Sequence, residues 1–183
     1  MCTSGINDHV DGGFYRYSGD DLWMIPHFEK MLYDNGPMMN ILCDSYVKFG
    51  DALYIDKAKE IYNWSRIFMT SKEGVFYSTI DADSEGSEGK YYVFSEDELK
   101  KTLEKEEIDL LNEYLLDLNK PNFEGNHHLH LHRKKENDFK ENKQKFMPIF
   151  KKLSASRKQK VLPSVDKKVL LSWNCLYIKG LIK

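Results

Sequence analysis

The chain has 183 residues, of which 41% are hydrophobic and 13% aromatic, so it contains enough apolar material for a packed core. Lys and Arg number 27 against 29 Asp and Glu, and the net charge of −2 argues against a nucleic-acid-binding protein. No apolar run reaches the ~20 residues that cross a bilayer, and the three scattered cysteines provide neither a disulfide framework nor a zinc site. We therefore expect a cytoplasmic globular protein with reduced thiols, no metal or other cofactor, and no nucleic-acid or membrane partner.

The first long apolar pattern predicts two helices joined by a tight turn. Across residues 26–49, apolar side chains recur at three- and four-residue steps, and a second such pattern covers residues 51–70. Gly36-Pro37 interrupts the first pattern, and an interior proline costs roughly 3 kcal/mol in a regular helix. The sequence therefore predicts a helical hairpin with a kink or break near Asn35.

Short extended segments separate this hairpin from a third helical region. Residues 75–77 and 90–94 are typical of short strands. An S-x-x-E capping box at Ser95 and Glu98 predicts a helical region whose apolar positions continue to Tyr114. Residues 119–135 carry no periodic pattern and are expected to be irregular.

The last part of the chain is predicted to return to helix. Residues 136–160 are rich in lysine and predict a helix with an interruption at Pro148. A further apolar helix is predicted to begin at Lys168. The fold class is therefore mainly α, with short β pieces in the loops.

One short pattern occurs twice. Gly12-Gly13-Phe14-Tyr15 precedes the first helical hairpin, and Gly74-Val75-Phe76-Tyr77 follows it. A helix, a short Gly-Phe turn and a second helix form the repeating pattern of a helical-hairpin array. The alternative is that two aromatic turns coincide by chance.

Four motif blocks, in order, point to a known family. They are residues 8–18 with 23–35, residues 76–78 with 81–86, Asn122-Phe123-Glu124-Gly125-Asn126, and residues 166–170 with Ser172-Trp173-Asn174. Together they resemble the YyaL-type, spermatogenesis-associated thioredoxin-like family. The resemblance implies a thioredoxin-like domain followed by an (α/α)6 toroid similar to six-hairpin glycosidases and N-acylglucosamine 2-epimerase. Residues 1–183 would then be a fragment of a single toroid domain, open at both ends, whose partners are the missing toroid helices and the thioredoxin-like domain.

His27 and Glu29 stand near the predicted start of the first helix. Two residues apart, they would point to opposite sides of a regular helix, with His27 on the stripe of Asp34 and Glu29 on that of Tyr33. In the functional interpretation His27 and Asp34 line a pocket. In the alternative, Glu29 satisfies a helix terminus and His27 is a hydrogen-bonded core histidine.

Asp81, Asp83 and Glu85 alternate along the chain. In an extended segment they would project to one side, with neighbours ~7 Å apart. Glycoside hydrolysis uses two carboxyl groups, and this cluster could supply one of them; the same oxygens could hold a hard cation. The alternative is an acidic, solvated turn.

Histidine and tryptophan side chains complete the candidate groups. His128, His130 and His132 would share one face of a strand and could ligate a metal, but we prefer a solvent-exposed strand or loop for the histidine segment that begins at His127. Trp23 and Trp173 could form the aromatic floor of a sugar site, although such residues are more often core.

Two functional hypotheses follow. The first is a carbohydrate-active or carbohydrate-binding site, with glycosidase-like or epimerase-like chemistry and a carbohydrate ligand. The second is a non-catalytic scaffold or a truncated fragment without independent activity. For the first, the predicted catalytic residues are His27, Asp34, Asp81 and Asp83. Its predicted substrate-binding residues are Arg16, Trp23, Glu29, Tyr33, Glu85, Trp173 and Asn174.

Overall fold

The computed structural model describes residues 1–183, and most of its regular structure is helical. Seven strands of two residues each lie between the helices: β1 (Tyr17–Ser18), β2 (Pro26–His27), β3 (Lys30–Met31), β4 (Thr79–Ile80), β5 (Asp83–Ser84), β6 (Ser87–Glu88) and β7 (Val165–Asp166). The six α-helices are α1 (Leu32–Phe49), α2 (Ala52–Phe68), α3 (Glu96–Thr102), α4 (Lys105–Tyr114), α5 (Glu136–Arg157) and α6 (Leu171–Leu181). The mainly α class is confirmed, and none of the helices is long and apolar enough to cross a membrane. The toroid stays a prediction.

The helical hairpin is confirmed, but its first helix begins later than expected. Helix α1 starts at Leu32 rather than at Pro26, because β2 pairs with β1 and β3 pairs with β4. Strand pairing, a long-range interaction, therefore overrides the helical periodicity of residues 26–31. As a result, His27 lies in β2 and Glu29 lies between β2 and β3, so the helical stripes predicted for them are wrong.

Of the kink or break expected near Asn35, the break is absent, since α1 continues through Gly36 and Pro37. Helix α1 packs closely against α6 beside Pro37, since a Cβ atom on Gly36 would lie 2.7 Å from the Tyr177 Cα atom. A Cβ atom on Gly180 would lie 2.6 Å from the Gly36 carbonyl oxygen. The two glycines let the helices approach closely. Pro148 likewise leaves α5 uninterrupted.

The third helical region is two helices rather than one. The capping box of Ser95 and Glu98 is confirmed at the start of α3. A second capping box, formed by Glu104 and Glu107, starts α4 and separates it from α3. Residues 90–94 form a turn instead of the predicted strand, and only Phe94 makes a β-bridge, with His127.

Two asparagines hold the two Gly-Phe turns in the same way. The Phe14 N–H donates to Asn35 Oδ1 at 2.7 Å, and Asn35 Nδ2 donates to the Phe14 carbonyl at 2.9 Å. The Phe76 N–H donates to Asn174 Oδ1 at 2.9 Å, and Asn174 Nδ2 donates to the Phe76 carbonyl at 3.0 Å. Each Nδ2 also bonds the carbonyl four residues earlier in the chain. The repeated sequence pattern is therefore a repeated structural unit, with Asn35 near the start of α1 and Asn174 near the start of α6.

A buried ionic network lies between two hydrophobic cores, one around α1 and α2 and the other around α3, α4 and α5. Asp8 accepts hydrogen bonds from Lys30 at 2.7 Å and from Arg157 at 2.9 and 3.0 Å. Arg157 also donates to Asp11 at 2.9 Å and to the Tyr92 carbonyl at 2.9 Å. Asp8, Lys30 and Arg157 are each at most 2% exposed, so this network holds charge entirely inside the protein.

Replacing Asn35 with alanine should destabilise the fold by about 3 kcal/mol, because the buried N–H and carbonyl of Phe14 lose their partner. The measurement is urea denaturation followed by circular dichroism. Asn142→Ala is the control, since the Asn142 amide bonds only a neighbouring exposed carbonyl. Equal stability of the two variants would contradict the role given to the asparagine.

Stability should fall in acid because of Asp8. Burial alone would raise the pKa of Asp8, but the Arg157 guanidinium and the Lys30 ammonium hold it far below its usual value. The stabilisation is therefore complete above the unfolded-state pKa of about 4 and is lost as the pH falls further.

Asp8→Asn should cost about 3 to 5 kcal/mol at pH 7, because it leaves two buried cations with less counter-charge. This cost should shrink as the pH falls below 4. Urea denaturation of both proteins between pH 7 and pH 3 measures it, and a difference that does not change with pH would contradict the charged state of Asp8.

Candidate functional site

The starts of α1 and α6 lie side by side at one rim of the molecule. Strands β3, β4 and β7 form one antiparallel sheet in the order β3-β4-β7, and α1 begins directly after β3. Helix α6 begins five residues after β7. The ring of Tyr33 on α1 contacts the ring of Trp173 on α6, and the ring centroids are 4.8 Å apart. This sheet therefore places residues from both ends of the chain at one rim.

A continuous chain of polar contacts runs along this rim. Arg16 donates to the Tyr33 hydroxyl at 3.0 Å and to the Glu29 carboxylate at 3.1 Å. His27 Nε2 lies 3.8 Å from the same carboxylate, and His27 Nδ1 lies 2.7 Å from Glu88 Oε1. These side chains are between one fifth and about two fifths exposed, so the chain of contacts is open to solvent.

Asp34 is the rim residue with the most unusual environment. It lies in the first turn of α1, and its Oδ2 atom is buried without a hydrogen-bond partner. Burial raises the pKa of Asp34 to about 6; the Arg16 guanidinium opposes the increase and the Glu29 carboxylate adds to it. The Asp34 carboxyl group can therefore hold or release a proton near neutral pH. We call Arg16, His27, Glu29, Tyr33, Asp34 and Trp173 the rim cluster.

The acidic segment after β4 is a hairpin turn rather than one extended face. Strands β5 and β6 pair around Glu85, whose φ of 52° turns the backbone, so the predicted alternation of the three carboxylates ends there. Asp81 accepts a hydrogen bond from the Ser164 hydroxyl at 3.2 Å, and Glu85 pairs with Lys90 at 3.0 Å. Asp83 is exposed. No hydrogen bond or ion pair joins these three carboxylates to the rim cluster.

Glu88 is the rim contact that the sequence analysis missed. Its Oε1 atom is the partner of His27 Nδ1 and also accepts from the Phe28 N–H at 3.2 Å. Its position in a motif of alternating Ser, Glu and Gly residues suggested only a turn. The partner 61 residues away in sequence could not be identified from local pattern.

Two predicted binding residues lie in other surroundings. Trp23 has a φ of 61° and is 44% exposed, and it lines a separate cleft of about 740 Å³ together with His130 and His132. The amide of Asn174 is engaged by the Phe76 backbone, as described above, so it holds a turn at the edge of the rim.

The histidine segment is less exposed than predicted. His127 and His128 are 1% and 3% exposed, and His128 Nε2 lies 2.7 Å from the Gly5 carbonyl oxygen. Burial lowers the pKa of His128 to about 4, so its ring is neutral at pH 7. The preferred exposed strand or loop is therefore wrong for these two residues. No group of three or more His, Cys, Asp or Glu residues has an arrangement that could hold a metal ion.

Asp34→Asn should stabilise the protein at pH 7.5, because the charged carboxylate is penalised by burial in the folded state. Because the folded-state pKa of Asp34 is raised, the contribution of its carboxyl group to stability is fully present below the unfolded-state pKa of about 4. That contribution is lost as the pH rises towards 6. After allowance for solvent screening we expect a gain of about 1 kcal/mol at pH 7.5 and none at pH 4. Urea denaturation at the two pH values measures it, and a loss of stability at pH 7.5 would contradict the environment assigned to Asp34.

No protein-family model matches the chain. Over 109 residues it is 41% identical to spermatogenesis-associated protein 20 of Mus musculus and 40% identical to that of Homo sapiens; both alignments cover 56% of this chain and 14% of the relative. An uncharacterized protein of Caenorhabditis elegans is 29% identical over all of this chain, which covers 29% of that relative. The chain thus spans less than a third of these relatives, and over about half its own length it is homologous to spermatogenesis-associated protein 20, of a thioredoxin-domain-containing family.

Proposed function

We propose that the rim cluster binds and processes a carbohydrate, with Asp34 as the proton donor. The observation that carries the proposal is the half-buried Asp34 carboxyl group, whose Oδ2 atom has no hydrogen-bond partner and whose pKa is about 6. A general acid works best when its pKa lies near the working pH, because it is then protonated and still able to release the proton. An ordinary exposed aspartate would be ionised throughout the neutral range.

The other rim residues have complementary roles in this proposal. His27, held by Glu88, is the proton acceptor, and Arg16 with Glu29 binds sugar hydroxyl groups. The touching rings of Tyr33 and Trp173 form an apolar surface for the sugar ring.

The acidic turn can supply further carboxylates. Asp81 directly follows β4, whose Ile80 pairs with Lys30 of β3. In this proposal Asp81 is the second catalytic carboxylate, since hydrolysis of a glycosidic bond uses two carboxyl groups. Asp83 and Glu85, on the neighbouring hairpin, and Trp23, in its separate cleft, are proposed to contact more distant parts of a longer sugar. Asn174 is proposed to contribute by holding the turn beside Trp173.

The alternative function is a non-catalytic scaffold, and one observation favours it. Large apolar side chains on α1, at the start of α6 and directly after α6 are strongly exposed, with Val47 at 85%, Leu171 at 80% and Ile182 at 79%. Exposed apolar faces of this kind are typical of surfaces that other elements cover. The further toroid helices and a thioredoxin-like domain are the partners proposed for this role, in a cytoplasmic protein whose cysteines are unpaired.

The experiment uses N-acetylglucosamine and maltose as probes. Saturation-transfer NMR measures binding, and the NMR spectrum over time shows epimerisation of the first sugar or hydrolysis of the second. Asp34→Asn should lower the rate by about a hundredfold or more, the usual contribution of a general acid, and wild-type activity should fall as the pH rises above 6. Asp97→Asn, an exposed aspartate on α3, is the control. If the wild-type protein binds and converts neither sugar, the carbohydrate proposal is wrong and the scaffold is favoured.

A further inference from the structure

A polar cavity of about 570 Å³ lies beside the rim, between two hairpin turns. One turn is the tip of β5–β6, with Glu85 and Gly86, and the other is Glu124 and Gly125, where Phe123 forms a β-bridge with Asn126. The volume is in the range of small-molecule sites. We call this space the hairpin cavity.

The two turns have the same backbone geometry. Glu85 and Glu124 have φ angles of 52° and 47°, and the following glycines have φ angles of 77° and 76°. Two successive residues with positive φ are typical of the tightest hairpin turns, which normally carry Asn or Asp at the first position. Glutamate extends further than either, and both glutamates line the cavity.

Tyr91 presents a polar group to the cavity. The residue lines the cavity and is only 3% exposed, and its hydroxyl group has no hydrogen-bond partner within the protein. Solvent reaches the hydroxyl oxygen, unlike the buried Oδ2 atom of Asp34, so water or a ligand in the cavity can hydrogen-bond to it. The Tyr91 ring is fixed by packing against Tyr92 and the Arg157 guanidinium, so the hydroxyl is presented rigidly.

The charges around the cavity favour a cationic ligand. Four glutamates and two lysines line it. Lys160 is already engaged, since it donates to the Val93 carbonyl at 2.7 Å and pairs with Glu98 at 2.8 Å. Glu124 has no ion-pair partner. The cavity therefore carries an excess of negative charge, which attracts a cation and repels phosphate or carboxylate ligands.

We propose that the hairpin cavity binds a small primary amine bearing hydroxyl groups, with Glu124 binding the ammonium group and Tyr91 binding a neighbouring hydroxyl. Ser87, Asn126 and Gln159 supply further hydrogen bonds, and the Phe123 ring forms an apolar wall. This site does not depend on the rim cluster, although Glu88 borders both.

Three monosaccharides test the proposal because they differ mainly in charge: glucosamine, glucose and glucuronate. Isothermal titration calorimetry with the 183-residue protein at pH 6.5 should show glucosamine binding more tightly than glucose, and no binding of glucuronate. Glu124→Gln should weaken glucosamine binding about tenfold, the usual effect of losing one charge-assisted hydrogen bond, and should leave glucose binding unchanged. Tyr91→Phe should weaken the binding of both neutral and cationic sugars.

Glu73→Gln is the matched control, since Glu73 is exposed, does not line the cavity and causes the same change in net charge. Thermal melting of each variant confirms that it is folded. The proposal is overturned if glucosamine does not bind, if glucuronate binds as well as glucosamine does, or if Glu73→Gln weakens binding as much as Glu124→Gln. The rim proposal is tested by conversion of N-acetylglucosamine and maltose and this proposal by the effect of Glu124→Gln on glucosamine binding, so failure of one and failure of the other are distinguishable.

Discussion

The ion network of Asp8, Lys30 and Arg157 is the interaction on which the rest of the structure depends. Desolvating these charges is costly, and their mutual pairing, with hydrogen bonds to Asp11 and to the Tyr92 and Gly12 carbonyls, offsets that cost. Arg157 ends α5, which packs in the second core, whereas Lys30 lies on β3 within the first core. The network therefore ties the two cores together and fixes the position of β3. Aromatic rings around the Lys30 ammonium, including Tyr15 at 4.8 Å and Trp64 at 5.4 Å, add cation–π attraction.

The fixed position of β3 determines the geometry of the rim. Glu29 directly precedes β3, and Asp34 lies on the first turn of the helix that follows it. The asparagine near the start of each helix, Asn35 in α1 and Asn174 in α6, then anchors that helix to a Gly-Phe turn. Because both helices begin at the same sheet, the repeated unit brings Tyr33 and Trp173 into contact. Structural repetition thus produces the candidate site.

The rim and the hairpin cavity differ in which polar and charged groups lack a partner. At the rim, Arg16 and His27 are each within reach of a carboxylate, and Asp34 is the acid left without a partner. In the cavity, the unpaired groups are the Glu124 carboxylate and the neutral Tyr91 hydroxyl. The first arrangement suits proton transfer near neutral pH, and the second suits recognition of a cation. Glu88, on β6, contacts His27 at the rim and also lines the cavity.

Local signals in the sequence were sufficient for the mainly α class, the α1–α2 hairpin, the capping box at Ser95 and the repeated Gly-Phe turn, since each depends on residues close together in the chain. They also singled out His27 and Asp34 as pocket residues, but they placed Glu29 on the opposite side of a helix from His27. Periodicity could not locate the start of α1, because strand pairing competes with helix formation there. Nor could it show that Glu88 meets His27, or that Asp8 meets Arg157 across 149 positions. Such pairs arise only when the chain packs, and the raised pKa of Asp34 follows from the burial that this packing creates.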